Sequence, residues 1–328
     1  MCGKITVLAL LKGNLMTENI YGKILQGVGG LYSVLVTEGE LKTNVLPCRA
    51  RGSFRHNNLS PLAGDNVIIS PTRESEKKDG EYVIEEICER KSALIRPPLA
   101  NLDYLFITLA AASPKPILST VDKLISIAEF NDIEPIIVIT KCELDPDYAD
   151  ELRAIYEKSR FTVFSLSAVS DIGITPIDDF IKNNLANKLS AFAGASGIGK
   201  STLLNKLFPN LSLSTSEISR KIERGRHTTR KVEIFPVKLS SGDYSYIADT
   251  PGFSMLDFER FDFFEKDDLV YTMRDFKPYM NQCKYTKCSH TKEDGCAIVS
   301  ALKSGAIEPS RHKSYCELFD VLKAKTKW

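Results

Sequence analysis

No stretch of this sequence is long and apolar enough to span a bilayer. The longest runs, such as "YLFITLAAA" from Tyr104 to Ala112, fall well short of the ~20 residues that a spanning helix needs. An excess of one charge is also missing. Lys and Arg number 43 against 42 Asp and Glu, so the net charge is +1 and any contact with nucleic acid must come from local patches. The start, "MCGKITVLALLKGNLMTENIYGKI", has a short apolar run with only a weak basic flank and without the small-residue cleavage site of a secretory signal. Residues 1–17 are expected to form a flexible extension, with Met16 a second candidate start. Internal repeats and low-complexity tracts are absent.

What is present is an ordinary globular composition, 43% hydrophobic and 26% charged over 328 residues, enough for two or three domains. Eight cysteines without a secretory signal point to a reducing, cytoplasmic setting. Cys2, Cys48, Cys88 and Cys142 are scattered and read as small packing residues. Cys283, Cys288 and Cys296 cluster around His290, which asks for a metal rather than disulfides. Cys316, further on in an expected helix, reads as packing.

Three regimes follow one another. Residues 18–92 carry short alternating runs split by Gly-Gly and "EGE" turns, about five strands in all, as in a small barrel. An OB-type barrel leads, with an SH3-like barrel as the alternative. Arg49, Arg51 and Arg55, with His56, lie close together there, either as an RNA-binding face or as a solvated loop. Residues 93–262 alternate strands and helices, which implies an α/β domain with a parallel, doubly wound sheet whose ligands sit beyond the carboxyl ends of the strands. Lys141, Ser167 and Gly194 each follow a strand and so share one rim. Residues 263–328 read as mostly helical. From Tyr271 to Trp328 they hold eleven Lys and Arg against six Asp and Glu, a local excess of +5.

The chemistry starts with "GASGIGKSTLLN". Gly194, Gly199, Lys200 and Ser201 fit G-x-x-x-x-G-K-[ST]. The backbone N–H groups from Gly194 through Ala195, Ser196, Gly197, Ile198 and Gly199 to Thr202 can turn around phosphate oxygens. Lys200 reaches the terminal phosphates, and the Ser201 hydroxyl can ligate Mg²⁺. "YIADTPGF" follows, where Asp249 ends a strand and can hold Mg²⁺ through water while the Gly252 N–H meets the γ-phosphate. Between them, "RGRHTTRKVEIF" offers Thr228 and Thr229, either of which can complete Mg²⁺ coordination and sense the γ-phosphate. Upstream, "VITKCELD" places Thr140, Lys141 and Glu143 after a buried strand. A carboxylate accepts both N1–H and N2–H of guanine, a donor pair that adenine lacks. Asp145 is the rival reader. "SLSA" puts the N–H groups of Ser167 and Ala168 where a guanine O6 could be met. Finally, Cys283, Cys288, His290 and Cys296 make a full tetrahedral zinc set with no open position, hence structural. Lys284, Lys287, Lys292 and Arg311 ride near it, and Lys284, Lys287 and Arg311 are expected to contact RNA phosphates.

The order is base reader, base loop, phosphate loop, threonine loop, D-x-x-G, whereas ordinary GTPases carry the phosphate loop first. The chain therefore resembles a circularly permuted GTPase. More narrowly, it resembles the bacterial small-ribosomal-subunit-dependent GTPases of the RsgA family. The resemblance runs through "RARGSFR", "P-LAGDNV", "RPPLANLD", "GASGIGKSTLLN", "GRHTT", "DTPGF", the Cys/His spacing and "RHKSY". It implies an OB barrel, a permuted GTPase domain and a zinc domain. It also implies slow GTP hydrolysis with Mg²⁺, stimulated by the small ribosomal subunit during its late maturation, in a protein expected to be a cytoplasmic monomer. Two positions depart from the pattern. Glu143 stands where the family has Asp, keeping both oxygens on one more methylene. Phe253 stands where Ras-like enzymes orient water with Gln, and the resemblance transfers that catalytic role to His227, beside Lys200. The competing classes are a nucleotide-gated RNA-binding module with negligible hydrolysis, favoured by Phe253 and Glu143, and an ATP-dependent kinase or ATPase, disfavoured by the carboxylate after Lys141.

Overall fold

The computed structural model describes residues 19–52, 54, 59–72, 82–95, 97–209, 232–249 and 264–324. The amino-terminal part is a closed five-stranded barrel. Its strands are β1 (Ile20–Val28), β2 (Leu31–Val36), β3 (Val45–Ala50), β4 (Asn66–Pro71) and β5 (Tyr82–Ile87), in the order β1-β2-β3-β5-β4. β3 and β5 run parallel and the other neighbours antiparallel, the closed Greek-key arrangement of an OB-type barrel. Gly29 and Gly30 form the two-residue turn between β1 and β2, both with positive φ (59° and 84°), as a turn matched to strand twist demands. Ile24, Val34, Cys48, Val67, Ile69 and Ile84 fill the barrel. Leu25 and Leu35 point the other way, into the main core.

The central part is a six-stranded sheet in the order β10-β9-β8-β11-β13-β12. Its strands are β8 (Tyr104–Ala110), β9 (Glu134–Thr140), β10 (Thr162–Ser165), β11 (Leu189–Ala193), β12 (Glu233–Lys238) and β13 (Tyr244–Asp249). Two short strands, β6 (Ala93–Leu94) and β7 (Leu99–Ala100), precede it. The sheet is parallel except for β12, which pairs antiparallel with β13. The link between those two, residues 239–243, is far too short for a parallel crossover. β8, β9 and β11 are almost wholly buried because helices cover both faces. On one face Phe106, Val138 and Phe192 meet Ile177 and Ile181 of α3 (Ile174–Asn184) and Leu203 of α4 (Lys200–Leu207). On the other, Leu105, Ile107, Ile137 and Ile139 meet α1 (Leu118–Phe130) and α2 (Pro146–Lys158). Consecutive residues of one strand thus feed opposite layers.

The barrel is docked on this sheet through groups that leave no slack. Gly64 has a φ of 88°, and a Cβ there would lie 2.1 Å from the Ala100 carbonyl oxygen. Ala100 N donates to Ala63 O at 2.9 Å and Asn101 Nδ2 to Gly64 O at 3.0 Å. Lys23 is buried at the seam, 2.8 Å from Asn66 Oδ1 and 5.4 Å from the centre of the Tyr246 ring. Burial pushes its ammonium down to about 8, against smaller opposite pulls from Asp103 and Asp65. The unfolded chain keeps that proton to about pH 10.4, so between about pH 8 and 10 the unfolded state binds more protons and stability rises with pH. The wild-type chain should therefore gain about 1–2 kcal/mol relative to Lys23→Met between about pH 7.5 and 9.5 in urea unfolding. A difference that ignores pH would contradict a charge buried in this seam.

The carboxyl-terminal part has two 3-10 turns, Leu269–Thr272 and Lys277–Tyr279, then α5 (Ala297–Lys303) and α6 (Pro309–Ala324). Leu269, Met273, Phe276, Tyr315, Leu318 and Leu322 join the same core as Ile125 and Ala128 of α1. Arg311 corrects an expectation. It is fully buried, not a surface phosphate contact, and is paired to Asp122 of α1 and, at 3.1 Å, to Asp275. Arg274 binds Glu129 and Glu134 from the same part of the molecule.

Candidate nucleotide and metal sites

β8, β9, β11 and β13 end at one rim, and β11 sits in mid-sheet, so the loop that leaves it starts between its neighbours' carboxyl ends. Gly194 opens that loop with a φ of 147°, and a Cβ on it would meet the Thr108 carbonyl oxygen at 2.4 Å. Gly197 and Gly199 lie in open space, but each has a left-handed φ, 79° and 91°. Ala195, Ser196 and Gly197 are exposed while Ile198 is buried as an apolar anchor beneath them. Gly199 caps α4, which begins at Lys200, with half-buried Ser201 and exposed Thr202 in its first turn. Lys200 Nζ lies 3.4 Å from the Gly194 carbonyl. Burial lowers the Lys200 ammonium and raises the Asp249 carboxyl, and each partly offsets the other's shift. Two opposite charges therefore face each other in a desolvated corner beside an anion-ready loop.

The loop that leaves β9 is tied to the glycine-rich loop that leaves β11. Thr140 Oγ1 lies 2.6 Å from the Ile198 carbonyl oxygen. Lys141, at φ 57°, sends Nζ to the Gly197 carbonyl at 2.8 Å and the Ser113 carbonyl at 2.7 Å. Glu143 Oε2 is buried and has no hydrogen-bond partner among the described residues. An unpaired buried carboxylate oxygen is costly, so this one is poised for donors from outside the chain. Asp145 is differently employed. It caps α2 by accepting from Tyr148 N, and it sits 3.7 Å from Lys115. Ser167 is also committed: its N–H goes to the Ile172 carbonyl at 2.9 Å, and its Oγ accepts from Ser170 N. That commitment corrects the expectation for the Ser167 N–H. Ser113 and Lys115 escaped the sequence reading. Their signal was a Ser-Pro-Lys-Pro loop leaving a buried strand at the ligand-bearing rim. His227, Thr228, Thr229, Gly252, Phe253, Arg55 and His56 lie outside the described residues.

The second constellation is Cys283, Cys288, His290 and Cys296, whose ligand atoms all lie within 4.8 Å of one another. A Zn²⁺ at ordinary bond lengths sets tetrahedral S···S near ~3.8 Å and S···N near ~3.6 Å. Here Cys283 and Cys296 Sγ are 3.8 Å apart, and each is 3.5 Å from His290 Nδ1. The four groups fit one structural zinc. Burial lowers the His290 pKa, favouring the neutral ring that ligation needs. Ala297 N and Val299 N point at the sulfurs of Cys283 and Cys296, so the ligand pair also caps α5. His312 Nε2 donates to the His290 carbonyl at 2.8 Å, and Tyr315 Oη to the Ser289 carbonyl at 2.9 Å, bracing the ligand loop from α6. Lys284 and Lys287 are exposed on that loop. On the barrel, Arg49 is exposed and Arg51 is ion-paired with Glu85 at 2.5 Å.

Comparison with known proteins places this geometry. A family model described as RsgA GTPase matches residues 87–259, and one described as RsgA N-terminal domain matches residues 21–78. The small ribosomal subunit biogenesis GTPase RsgA of Ruminiclostridium cellulolyticum is 38% identical over 307 residues, covering 92% of this chain and 93% of the relative. That of Bacillus subtilis is 38% identical over 304 residues, covering 92% and 97%. Among solved structures, YjeQ from Thermotoga maritima superposes with a TM-score of 0.73 at 28% identity, over 94% of this chain and all of its own. YloQ, described as a circularly permuted GTPase, gives 0.72 at 31% identity over 97% and 100%. With its phosphate loop on the fourth strand of the sheet in chain order, the chain belongs to the RsgA family of circularly permuted GTPases.

Proposed function

We propose that this chain hydrolyses GTP to GDP and uses the nucleotide state to act on the small ribosomal subunit late in its assembly. The observation that carries the nucleotide assignment is the buried, unpartnered Glu143 oxygen on a loop roped to the phosphate loop by Thr140 and Lys141. Guanine N1–H and N2–H would complete it, with O6 at the Ala168 N–H. The backbone from Gly194 to Thr202 cradles the phosphates, and Lys200 neutralises their terminal charge. Ser201, a threonine from Thr228 or Thr229, and Asp249 through water would hold Mg²⁺. When bound, Mg²⁺ offsets charge on the β- and γ-phosphates. The Gly252 N–H meets the γ-phosphate, and His227 positions the attacking water in place of the Gln that Phe253 displaces.

The subunit assignment rests on the relatives' name, small ribosomal subunit biogenesis GTPase. Zn²⁺ held by Cys283, Cys288, His290 and Cys296 keeps the carboxyl-terminal domain folded. Arg49, Arg51, Arg55, Lys284 and Lys287 supply phosphate contacts. Domain limits of 18–92, 93–262 and 263–328, a monomeric state and a cytoplasmic location complete the reading; no helix among the described residues is long and apolar enough to cross a membrane. Turnover of GTP titrated with purified small and large ribosomal subunits tests it. Small subunits should accelerate a slow basal rate and large subunits should not; a flat response to small subunits refutes the coupling. In the same assay His227→Ala should lower the rate by about 10²–10⁴-fold while GTP affinity stays within a factor of about two. Parallel loss of both would remove His227 from the chemistry.

A further inference from the structure

Beside the Cys/His cluster runs an open groove of about 730 Å³ between the Leu269–Thr272 turn and the loop that joins the first two ligands. Two phenol rings line it and stay uncovered: Tyr271 is 62% exposed and Tyr285 51%. Among the described residues no hydrogen bond or ring stack engages either phenol, and the one partner given to Tyr285 is the Lys284 ammonium, 5.4 Å from its ring centre. Tyr285 stands in "CKYTKC", an aromatic flanked by two exposed lysines between two metal ligands. Lys287 and Lys266 also border the groove. The acidic side chain lining it, Asp267, is matched by Lys266 at 2.5 Å. Lysines around exposed aromatic faces are the equipment for holding a phosphate chain while its bases stack.

Both rings are carried on firmly anchored backbone. Cys283 and Cys288 clamp the "KYTK" loop at both ends. In between, Lys284 N donates to the Gly295 carbonyl at 2.9 Å, and Gly295 packs so closely that a Cβ would lie 2.8 Å from Lys284 Cβ. Tyr271 rides on a turn whose neighbours Leu269 and Thr272 are buried. With the backbone already ordered, only the two side-chain torsions of each tyrosine are left to settle on binding, so most of the stacking is retained as affinity.

We propose that this groove binds an unpaired RNA segment, with bases stacked on Tyr271 and Tyr285 and phosphates held by Lys284 and Lys287. The ribosomal reading above enters only in choosing RNA over DNA. Fluorescence anisotropy of labelled decauridine, with zinc-loaded full-length protein at physiological salt, tests it. Tyr271→Ala and Tyr285→Ala should each weaken binding at least about fivefold, the double substitution more, and the Tyr→Phe counterparts should keep wild-type affinity. An abasic chain with the same phosphates should bind the wild type about as weakly as decauridine binds the double variant. Should an alanine variant lose zinc, photo-crosslinking of the wild type to 4-thiouridine oligonucleotide decides: adducts at Tyr271 or Tyr285 support the groove, and adducts only elsewhere overturn it. Equal affinity across the alanine variants, or equal binding of the abasic chain, also overturns it. Alanine variants that bind decauridine normally but lose subunit stimulation would mean a protein surface uses the groove, which likewise defeats the RNA assignment. Binding lost with stimulation intact would confirm the groove and leave the GTPase reading standing.

Discussion

Replacing Arg311 by alanine is expected to destabilise the protein by about 3–5 kcal/mol, seen as a lower urea midpoint with the slope little changed. Arg311 is wholly buried between Asp122 of α1 and Asp275, with its guanidinium carbon 5.4 Å from the Phe161 ring centre. The cluster is already stretched. Arg311 Nε finds no hydrogen-bond partner among the described residues, and the Asp122 carboxyl is shared between Arg311 and the neighbouring Tyr156 and Ser314 hydroxyls. Burial raises the Asp122 pKa, and Arg311 is the chief force holding it down. Without the arginine, Asp122 must take up a proton or remain a lone buried charge, and the Asp275 carboxylate loses its partner as well. The triple substitution Asp122→Leu/Asp275→Leu/Arg311→Met should recover most of the loss, because a packed apolar cluster escapes the desolvation cost of all three charges. A loss under about 1 kcal/mol for Arg311→Ala would show that the charges are hydrated after all.

The same contact has a mechanical meaning. α1 follows the loop containing Ser113, whose carbonyl receives Lys141 from the loop after β9, and Lys141 also holds Gly197 of the phosphate loop. Asp122 and Glu129, further along α1, hold Arg311 and Arg274 of the carboxyl-terminal part. The loop before α1 is therefore tied to the rim that bears the glycine-rich loop, while α1 itself is ion-paired to the carboxyl-terminal part that contains the Cys/His loop.

Much of this fold could be read from residue pattern alone. β9 coincides with the apolar run "EPIIVIT", and α2 with "PDYADELRAIYEK" behind its Asp145 cap. Those elements are set by local signals. The antiparallel β12 is set by the shortness of residues 239–243, a cue that strand-helix alternation overlooks. Arg311 was misplaced because charge was weighed before periodicity. On α6, Tyr315, Leu318, Phe319 and Leu322 form one buried stripe, and stepping back four residues from Tyr315 lands on Arg311. The burial was legible; its partners, far away in the chain on α1, were not. Ser167 shows the same limit, since nothing local reveals that its N–H is taken by Ile172.

Removing the Glu143 carboxylate should have the largest effect on nucleotide choice. Guanine would offer two donors to it, and each hydrogen bond to a charged group is worth about 1.5–3 kcal/mol, so Glu143→Ala should weaken GTP binding by roughly 10²–10⁴-fold. Inosine triphosphate, which lacks the N2 amine, isolates one of the two bonds. The wild type should prefer GTP over it by about 10–100-fold, and Glu143→Ala should erase that preference. Glu143→Gln should also lose it, because the amide turns a donor toward guanine's donors. Asp145→Ala supplies the contrast: it removes the cap of α2, costing about 1 kcal/mol of stability, and should leave GTP over inosine triphosphate unchanged. If Asp145→Ala abolished the preference and Glu143→Ala kept it, the roles would be exchanged. The geometry argues otherwise, since Asp145 already accepts a helix N–H while one Glu143 oxygen is held dry and unmatched on a loop that Thr140 and Lys141 fasten to Ile198 and Gly197. A longer acidic side chain in a fastened loop can still reach the base, and the inosine comparison measures how well it does so.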